Sequence, residues 1–284
     1  MILTAVKNGL KRSWEVKELA ALFLLLNFIF AVLFVRPFFT VFHSFFSQRL
    51  ATELLARQNI YTFYSEFLFY MKPAVGLAKQ ALSTGGFVFY LLAFFLSGGF
   101  IYFFVSSGTV SLRTFWVEAG RYLGRMLRLA ILAAAVTLVT LFIGMSLFIP
   151  LKHLLPEASA EPALFAVFCI WLLLFLLILL VSMVFIDLTR LFLIRDQSPR
   201  VMPAARRALA VVLQLPGKLL LIFVLIHLFW LVLFAGYWWL QSCLPDTTAP
   251  GVFVNFILLQ VFIFLQYWAR FSRFGALAEV TADW

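Results

Sequence analysis

Few side chains in this sequence are placed to do chemistry, and the most notable is a single histidine. His227 lies nine residues past Lys218 within a long apolar run, which places it about 14 Å into that run if the run is helical. There a histidine fits three roles: a proton relay, a porphyrin or chlorophyll ligand, or a neutral hydrogen-bonding group between helices. The interiors of the apolar runs hold no acidic partner for a relay. We therefore expect neutral packing and predict no cofactor.

Three amide side chains form a second polar set, all in the last apolar run. They are Asn255, Gln260 and Gln266. Amides inside a membrane either line a cavity or hydrogen-bond to a neighbouring helix, and the second role is the expected one here.

The sequence carries no recognisable active-site motif. It has no GxSxG, HExxH, Walker or GxGxxG sequence. Its two cysteines, Cys169 and Cys243, have neither CxxC spacing nor a nearby histidine cluster of the kind that binds metals. We predict no catalytic residues, no metal site and a non-enzymatic protein.

Charge is scarce along this chain of 284 residues, and its distribution predicts the fold class. Only 12% of the residues are charged and 64% are hydrophobic, and the mean hydropathy is +1.05. Six apolar runs of about 17–25 residues each have the length that crosses a bilayer. The sequence therefore predicts an all-α polytopic membrane protein, with residues 1–284 forming a single six-span membrane domain. The predicted spans are 19–35, 87–105, 129–150, 162–186, 219–240 and 252–268.

Amphipathic segments join the spans and predict helices at both membrane interfaces. Residues 1–17 place Ile2, Val6 and Leu10 on one face, which is typical of an inner amphipathic helix. Residues 36–86 are rich in Phe and Tyr at helical spacing. We expect two outer interfacial helices over 37–71, a short third helix over 75–82, and a turn at 83–86.

The two most basic connections, 106–128 and 187–218, are expected to be cytoplasmic. Within the second, Ser198 and Pro199 predict a helix start, and Pro216 predicts its end. Sixteen of the 22 Lys and Arg residues lie in the N-terminus, these two connections and the C-terminus. By the positive-inside rule, both termini face the cytoplasm of a bacterial inner membrane. The net charge of +10 then predicts contact with anionic lipid headgroups, and not with nucleic acid.

Charged pairs at helical spacing mark candidate docking sites for a cytoplasmic partner. Glu118 with Arg121 and Asp187 with Arg190 are each three residues apart, so each is expected to form an ion pair. The alternative is that either pair is a docking contact for a partner protein. The full set of docking candidates is Glu118, Arg121, Arg125, Asp187, Arg190, Arg206 and Arg207.

The order of segments resembles that of one group of membrane proteins. The resemblance rests on Gly-Gly pairs before and within span 2, FWVEAGRYLGRMLRL before span 3, and DLTRLFLIRD after span 4. In these features the chain resembles a broad group of uncharacterised bacterial six-span inner-membrane proteins. That group is similar to the membrane domain that precedes some glycerophosphodiester phosphodiesterases. The resemblance implies a fold and a location, and it implies no activity.

The sequence favours one function and leaves an alternative open. A charge-free membrane interior, abundant Phe and basic surface helices favour an accessory or scaffold subunit of a membrane complex, or a lipid-facing component, with other integral proteins as partners. The alternative is a permease-like subunit for an amphipathic substrate that works with a separate ATPase. In that case segments 110–127 and 198–214 would couple the two proteins.

Overall fold

The computed structural model describes residues 2–47, 65, 69, 72–106, 111–153, 161–244, 248–282 and 284. Within these residues the chain is helical and forms no strand. In chain order the helices are α1 (Ile2–Glu15), α2 (Lys17–Ser47), α3 (Lys72–Val105), α4 (Leu112–His153), α5 (Glu161–Arg195), α6 (Val201–Gln214), α7 (Pro216–Ser242) and α8 (Ala249–Val280).

Six of these helices are long and apolar enough to cross a membrane, as the sequence predicts. They are α2, α3, α4, α5, α7 and α8. Several continue well past the predicted spans. Helix α4 has 42 residues, or about 63 Å at 1.5 Å per residue, which is roughly twice the thickness of a bilayer's hydrocarbon core. From Leu112 onward, the predicted connection 106–128 and span 3 are therefore one continuous helix.

The connection after the first span differs from the prediction. Helix α2 continues through Pro37 to Ser47, so residues 37–47 extend the first helix and do not begin a separate interfacial one. A proline within a helix lacks one backbone N–H, and long membrane helices tolerate that loss. Of residues 48–71, only Ser65 and Phe69 are described, and both are helical. The rest of the predicted 37–71 pair lies outside the described residues.

The predicted turn at 83–86 is absent, because α3 runs unbroken from Lys72 to Val105. Of the two glycines there, Gly85 serves packing, whereas a Cβ on Gly86 would have nothing within 4 Å. A Cβ on Gly85 would lie 2.2 Å from Cδ1 of Phe34 on α2, which is far inside van der Waals contact. Glycine at this position allows α2 and α3 to approach each other closely.

The chain divides into two compact units. One comprises residues 21–93, which are most of α2 and the first part of α3. The other comprises residues 1–20 and 94–284, and it contains all the candidate site residues named above. In this larger unit α4 pairs with α5 and α7 pairs with α8 as antiparallel hairpins. Helix α1 packs on α8, and α6 packs on α5.

Burial separates two ends of the larger unit. We call one the basic end; it consists of α1, α6 and the adjoining helix segments 94–105, 112–133, 184–195, 216–226 and 269–280. Nearly all the buried side chains of the unit lie there. We call the other the apolar end; it consists of residues 134–153, 161–183, 227–242 and 249–268. Apart from Thr140, Gly144, Gly251 and Phe262, the described side chains there are exposed or half-buried.

The start of α6 also differs from the prediction. The helix begins at Val201 with Arg200 as its N-cap residue, two residues later than the predicted N1 position at Pro199. The Ser198 hydroxyl accepts a hydrogen bond from the Arg200 backbone N–H at 3.3 Å and forms a local turn before the helix. The predicted end is confirmed: α6 stops at Gln214, and Pro216 occupies the first position of α7.

Candidate functional site

The basic end is the candidate functional site, and it begins with the contact between α1 and α8. The face of α1 that is buried consists of Ala5, Gly9 and Ser13, which recur every four residues. A Cβ on Gly9 would lie 2.5 Å from the Ser272 carbonyl oxygen, so the two backbones touch. The buried Ser13 and Ser272 hydroxyls are hydrogen-bonded at 2.7 Å. The sequence predicts a helix here, but its apolar residues Ile2 and Val6 only flank the contact.

A buried carboxylate joins the two hairpins. Asp187 on α5 forms ion pairs with Arg190 on the same helix at 3.1 Å and with Arg273 on α8 at 2.7 Å. The Asp187–Arg190 pair is predicted from the sequence, and Arg273 completes it. All three side chains are at most 13% exposed. Buried charges are stable only when they are paired, so this cluster fixes α5 against α8.

Aromatic rings complete the surroundings of both arginines. The Arg190 guanidinium lies 4.5 Å from the centre of the Phe94 ring, and that of Arg273 lies 4.8 Å from the Phe223 ring. A cation over an aromatic face is stabilised by the ring quadrupole, and the more so when water is excluded. The cluster therefore joins α3, α5, α7 and α8 at one level of the basic end.

Arginines also bind the backbone carbonyls at helix ends. Arg12 donates to the Ser106 carbonyl just past the end of α3 at 2.7 Å. Arg195 donates to the Ala278 carbonyl at 2.9 Å and also to that of Thr281. The last carbonyls of a helix lack partners and carry partial negative charge, so both arginines stabilise helix ends. Neither was singled out from the sequence, because the partners are more than 80 residues away.

The segment between α5 and α6 is held from two sides. Arg125 and Arg128 on α4 donate to the carbonyls of Gln197 at 3.1 Å and Pro199 at 3.3 Å. Arg207 on α6 binds Asp196 at 2.5 Å, and it also donates to the Trp284 carbonyl. Two of the docking candidates, Arg125 and Arg207, thus contact this chain's own backbone and side chains.

The other docking candidates are divided between surface and interior. The predicted Glu118–Arg121 pair is present at 3.5 Å, with Arg121 half exposed and Glu118 nearly buried. One carboxylate oxygen of Glu118 is buried without a hydrogen-bond partner among the described residues. Arg206 is exposed. Asp187 and Arg190 are buried within the unit, so they are not on a surface that a partner could reach.

The candidate polar residues within the apolar runs are not brought together. The His227 Nδ1 lies 2.7 Å from the Phe223 carbonyl one turn earlier, so the ring N–H donates within its own helix. The Asn255 side-chain oxygen is buried without a partner among the described residues. Gln260 and Gln266 are half-buried on α8. The expected interhelical hydrogen bond of His227 is thus replaced by an intrahelical one.

Across the described residues, no three His, Cys, Asp or Glu side chains converge as metal ligands. Cys169 is half-buried and Cys243 is exposed, and both are free thiols.

The described interactions at the basic end are structural contacts between helices. Its arginines contact carboxylates, aromatic rings and helix-end carbonyls, and these contacts involve α1 and each of the helices from α3 to α8. Neither family models, nor curated proteins, nor solved structures match this chain.

Proposed function

We propose that this chain is a non-enzymatic integral protein of a bacterial inner membrane, acting as an accessory or scaffold subunit of a membrane complex. The observation that carries the proposal is the exposure of the apolar end. In the most apolar 18-residue window of α5, none of the residues is buried within the chain. A surface of this kind must be covered by lipid or by helices of other integral proteins.

The two ends suit such a role in different ways. The basic end has its own packed core and ion pairs, which fix the positions of its helices relative to one another. The apolar end offers large exposed side chains on each of its helices, among them Phe142, Phe165, Leu173, Val232 and Phe253. Membrane helices associate through close packing. Because the helices are fixed at the basic end, their exposed faces at the apolar end form contact surfaces before any partner binds.

The orientation is also part of the proposal. The proposal puts the basic end on the cytoplasmic side, and the positive-inside rule supports this because the basic end carries most of the Lys and Arg residues. On a cysteine-free background, an impermeant thiol reagent applied to intact cells should label a cysteine at position 247 and not one at position 198. The reverse pattern would place the basic end outside.

Native purification tests the scaffold role. We expect the chain, extracted mildly at its natural abundance, to co-purify with one or more integral proteins in fixed stoichiometry, as identified by mass spectrometry. The matched control is a variant with Phe165→Ala and Leu173→Ala on the exposed face of α5, which should lose the partner and keep its fold. A chain that purifies alone from native membranes contradicts the proposal.

The exposed face of α6 keeps the permease-like alternative open. Helix α6 buries Ala204, Ala208 and Val211 against the unit, yet Met202, Leu209 and Leu213 remain exposed on it. An amphipathic helix with a second apolar stripe suits either the lipid interface or a docked soluble subunit. A stoichiometric ATPase in the purified complex, lost in Leu209→Ser with Leu213→Ser, would favour the permease over the scaffold.

A further inference from the structure

A groove with charges of both signs lies at the basic end. It has a volume of about 520 Å³, within the range of about 300–1,000 Å³ that is usual for small-molecule sites. Three cations and two carboxylates line it: Lys11, Arg12, Arg195, Glu15 and Glu279.

Two antiparallel helices build the groove from matching faces. Helix α1 contributes residues 8, 11, 12 and 15, and α8 contributes residues 275, 278 and 279 with residue 282 just beyond it. Both sets follow the i, i+3, i+4, i+7 pattern of a single helical face. The face from α8 is mostly Gly and Ala. These small side chains leave the space that the polar groups of α1 line.

The polar groups in the groove are held in position, and they retain further capacity to form hydrogen bonds. Arg12 and Arg195 bind helix-end carbonyls through their terminal nitrogens, and a guanidinium has five N–H donors in all. Asn8 donates to one oxygen of Glu279 at 2.9 Å, which orients that carboxylate. The groove therefore offers N–H donors to an anion and carboxylate oxygens to a cation.

The groove lies where lipid headgroups are expected. Its lining residues Val105 and Arg195 are the last residues of two membrane-crossing segments. Trp14, the chain neighbour of the lining residue Glu15, packs edge to face on Trp268 with ring centres 5.7 Å apart. Tryptophan is enriched at the headgroup level of membranes. A ligand with an apolar tail can thus reach the groove from the bilayer.

We propose that this groove binds the headgroup of a phospholipid that carries both a phosphate and a primary ammonium, as in phosphatidylethanolamine. The phosphate lies against Lys11, Arg12 and Arg195, and the ammonium donates to Glu15 at one end of the groove. Glu279 lies about two helical turns away at the other end, where Asn8 donates to it. A purely anionic headgroup would leave Glu15 without this donor. A quaternary ammonium has no N–H to donate. This site goes beyond the scaffold role and needs no partner subunit.

Native mass spectrometry of the delipidated protein tests the site. Phosphatidylethanolamine, phosphatidylglycerol and phosphatidylcholine of equal chain length are added separately, and the bound fraction is measured at increasing collision energy. We expect the ethanolamine lipid to bind at least fivefold more tightly than the other two. Equal binding of all three lipids would overturn the proposal.

Two variants and their controls separate the two halves of the headgroup. Arg12 and Arg195 cap helices, so Lys11 and Glu15 are the safer positions. Lys11→Gln should weaken binding of the ethanolamine lipid about tenfold, as expected for the loss of one charged hydrogen bond. Glu15→Gln should weaken it similarly and strengthen phosphatidylglycerol binding. The controls are Lys7→Gln and Glu18→Gln, at exposed positions outside the groove. Unchanged binding in both groove variants would contradict the assignment.

A soluble competitor distinguishes a membrane source from an aqueous one. Inorganic phosphate and phosphoethanolamine, each at millimolar concentration, should displace little of the bound lipid, because the acyl chains contribute part of the affinity. If either displaces the lipid completely, the groove is a site for a soluble phosphate compound and the lipid proposal fails. None of these outcomes depends on whether an integral partner co-purifies.

Discussion

The two ends of the larger unit share the helices α4, α5, α7 and α8, yet they are held together in different ways. Along α5, Leu188 at the basic end is 0% exposed, whereas Leu173, about four turns away at the apolar end, is 68% exposed. At the basic end, α5 contacts α6, α8 and the segment 94–105. At the apolar end its described polar contacts are with α4, through Thr140–Ser182 at 2.7 Å and Trp171 to Gly144 at 2.7 Å.

The difference shows where the fold is specified. Ion pairs, capped helix ends and a small-residue helix crossing fix the basic end, and each depends on particular residues. At the apolar end most side chains are exposed, and few contacts depend on particular residues. Mutations at the basic end should therefore affect stability far more than equal mutations at the apolar end.

The largest effect is expected from Asp187→Ala. It removes the carboxylate that forms ion pairs with the buried Arg190 and Arg273. Breaking a buried pair in this way lowers the free energy of unfolding by about 3–5 kcal/mol. Unfolding by SDS titration in mixed micelles measures it. The control is Asp196→Ala, which removes a partly exposed pair with Arg207 and should lower that free energy by at most about 1 kcal/mol. If both variants lowered the free energy of unfolding by the same amount, the buried ion pairs would not be what fixes the basic end.

A matched pair of leucines on α5 measures the comparison directly. Leu188→Ala empties a packed position and should lower the free energy of unfolding by about 2–5 kcal/mol. Leu173→Ala removes a side chain that faces lipid or detergent and should change it by no more than about 0.5 kcal/mol. Thermal unfolding in one detergent checks both variants. A large loss for Leu173→Ala would mean that the apolar end packs within the single chain.

Gly9→Ala tests the crossing of α1 and α8. The added methyl group would meet backbone atoms of Ser272 and Ala276 at 2.5 and 2.7 Å, so α1 must shift. Overpacking of this kind lowers the free energy of unfolding by about 1–3 kcal/mol. Gly124→Ala on α4 is the control, because nothing lies within 4 Å of its added Cβ. That change should be neutral or slightly stabilising. An unchanged melting temperature for Gly9→Ala would show that the crossing is loose.

The smallest effect is expected from His227→Gln at the apolar end. His227 hydrogen-bonds to the Phe223 carbonyl of its own helix, and membrane hydrogen bonds contribute about 0.6 kcal/mol on average. The variant should keep the unfolding midpoint and the absorbance spectrum of the parent. A visible absorbance band in the purified parent that disappears in His227→Leu would reveal a cofactor and refute the packing role.

The sequence predicts the long helices well, because the length and hydropathy of each span can be read from a single continuous stretch of sequence. It also predicts pairs that lie within one turn of a helix, such as Asp187 with Arg190 and Glu118 with Arg121. Helix boundaries are predicted less well. Proline and glycine are ordinarily breaking signals, yet α2 passes through Pro37 and α3 passes through Gly85. Long membrane helices tolerate both residues.

The long-range part of the basic end is not predictable from the pattern alone. Arg273 joins Asp187 from 86 positions away, and no local spacing indicates that contact. The segment 269–281 reads as a basic tail after the last span, yet it is among the most buried parts of the unit. In α1 the sequence pattern shows an apolar stripe, whereas Gly9 and Ser13 make the close contact with α8. Small residues at i, i+4 spacing were the available clue.

Site-specific photo-crosslinking tests the central claim most directly. A benzophenone amino acid replaces Phe165, which is 69% exposed at the apolar end, or Leu213, which is 71% exposed at the basic end. The account predicts that irradiation of intact cells joins position 165 to a discrete integral membrane protein, and that Leu173→Ala in the same chain weakens this adduct. Lipid adducts alone at position 165, together with a soluble ATPase captured at position 213, would contradict the scaffold role.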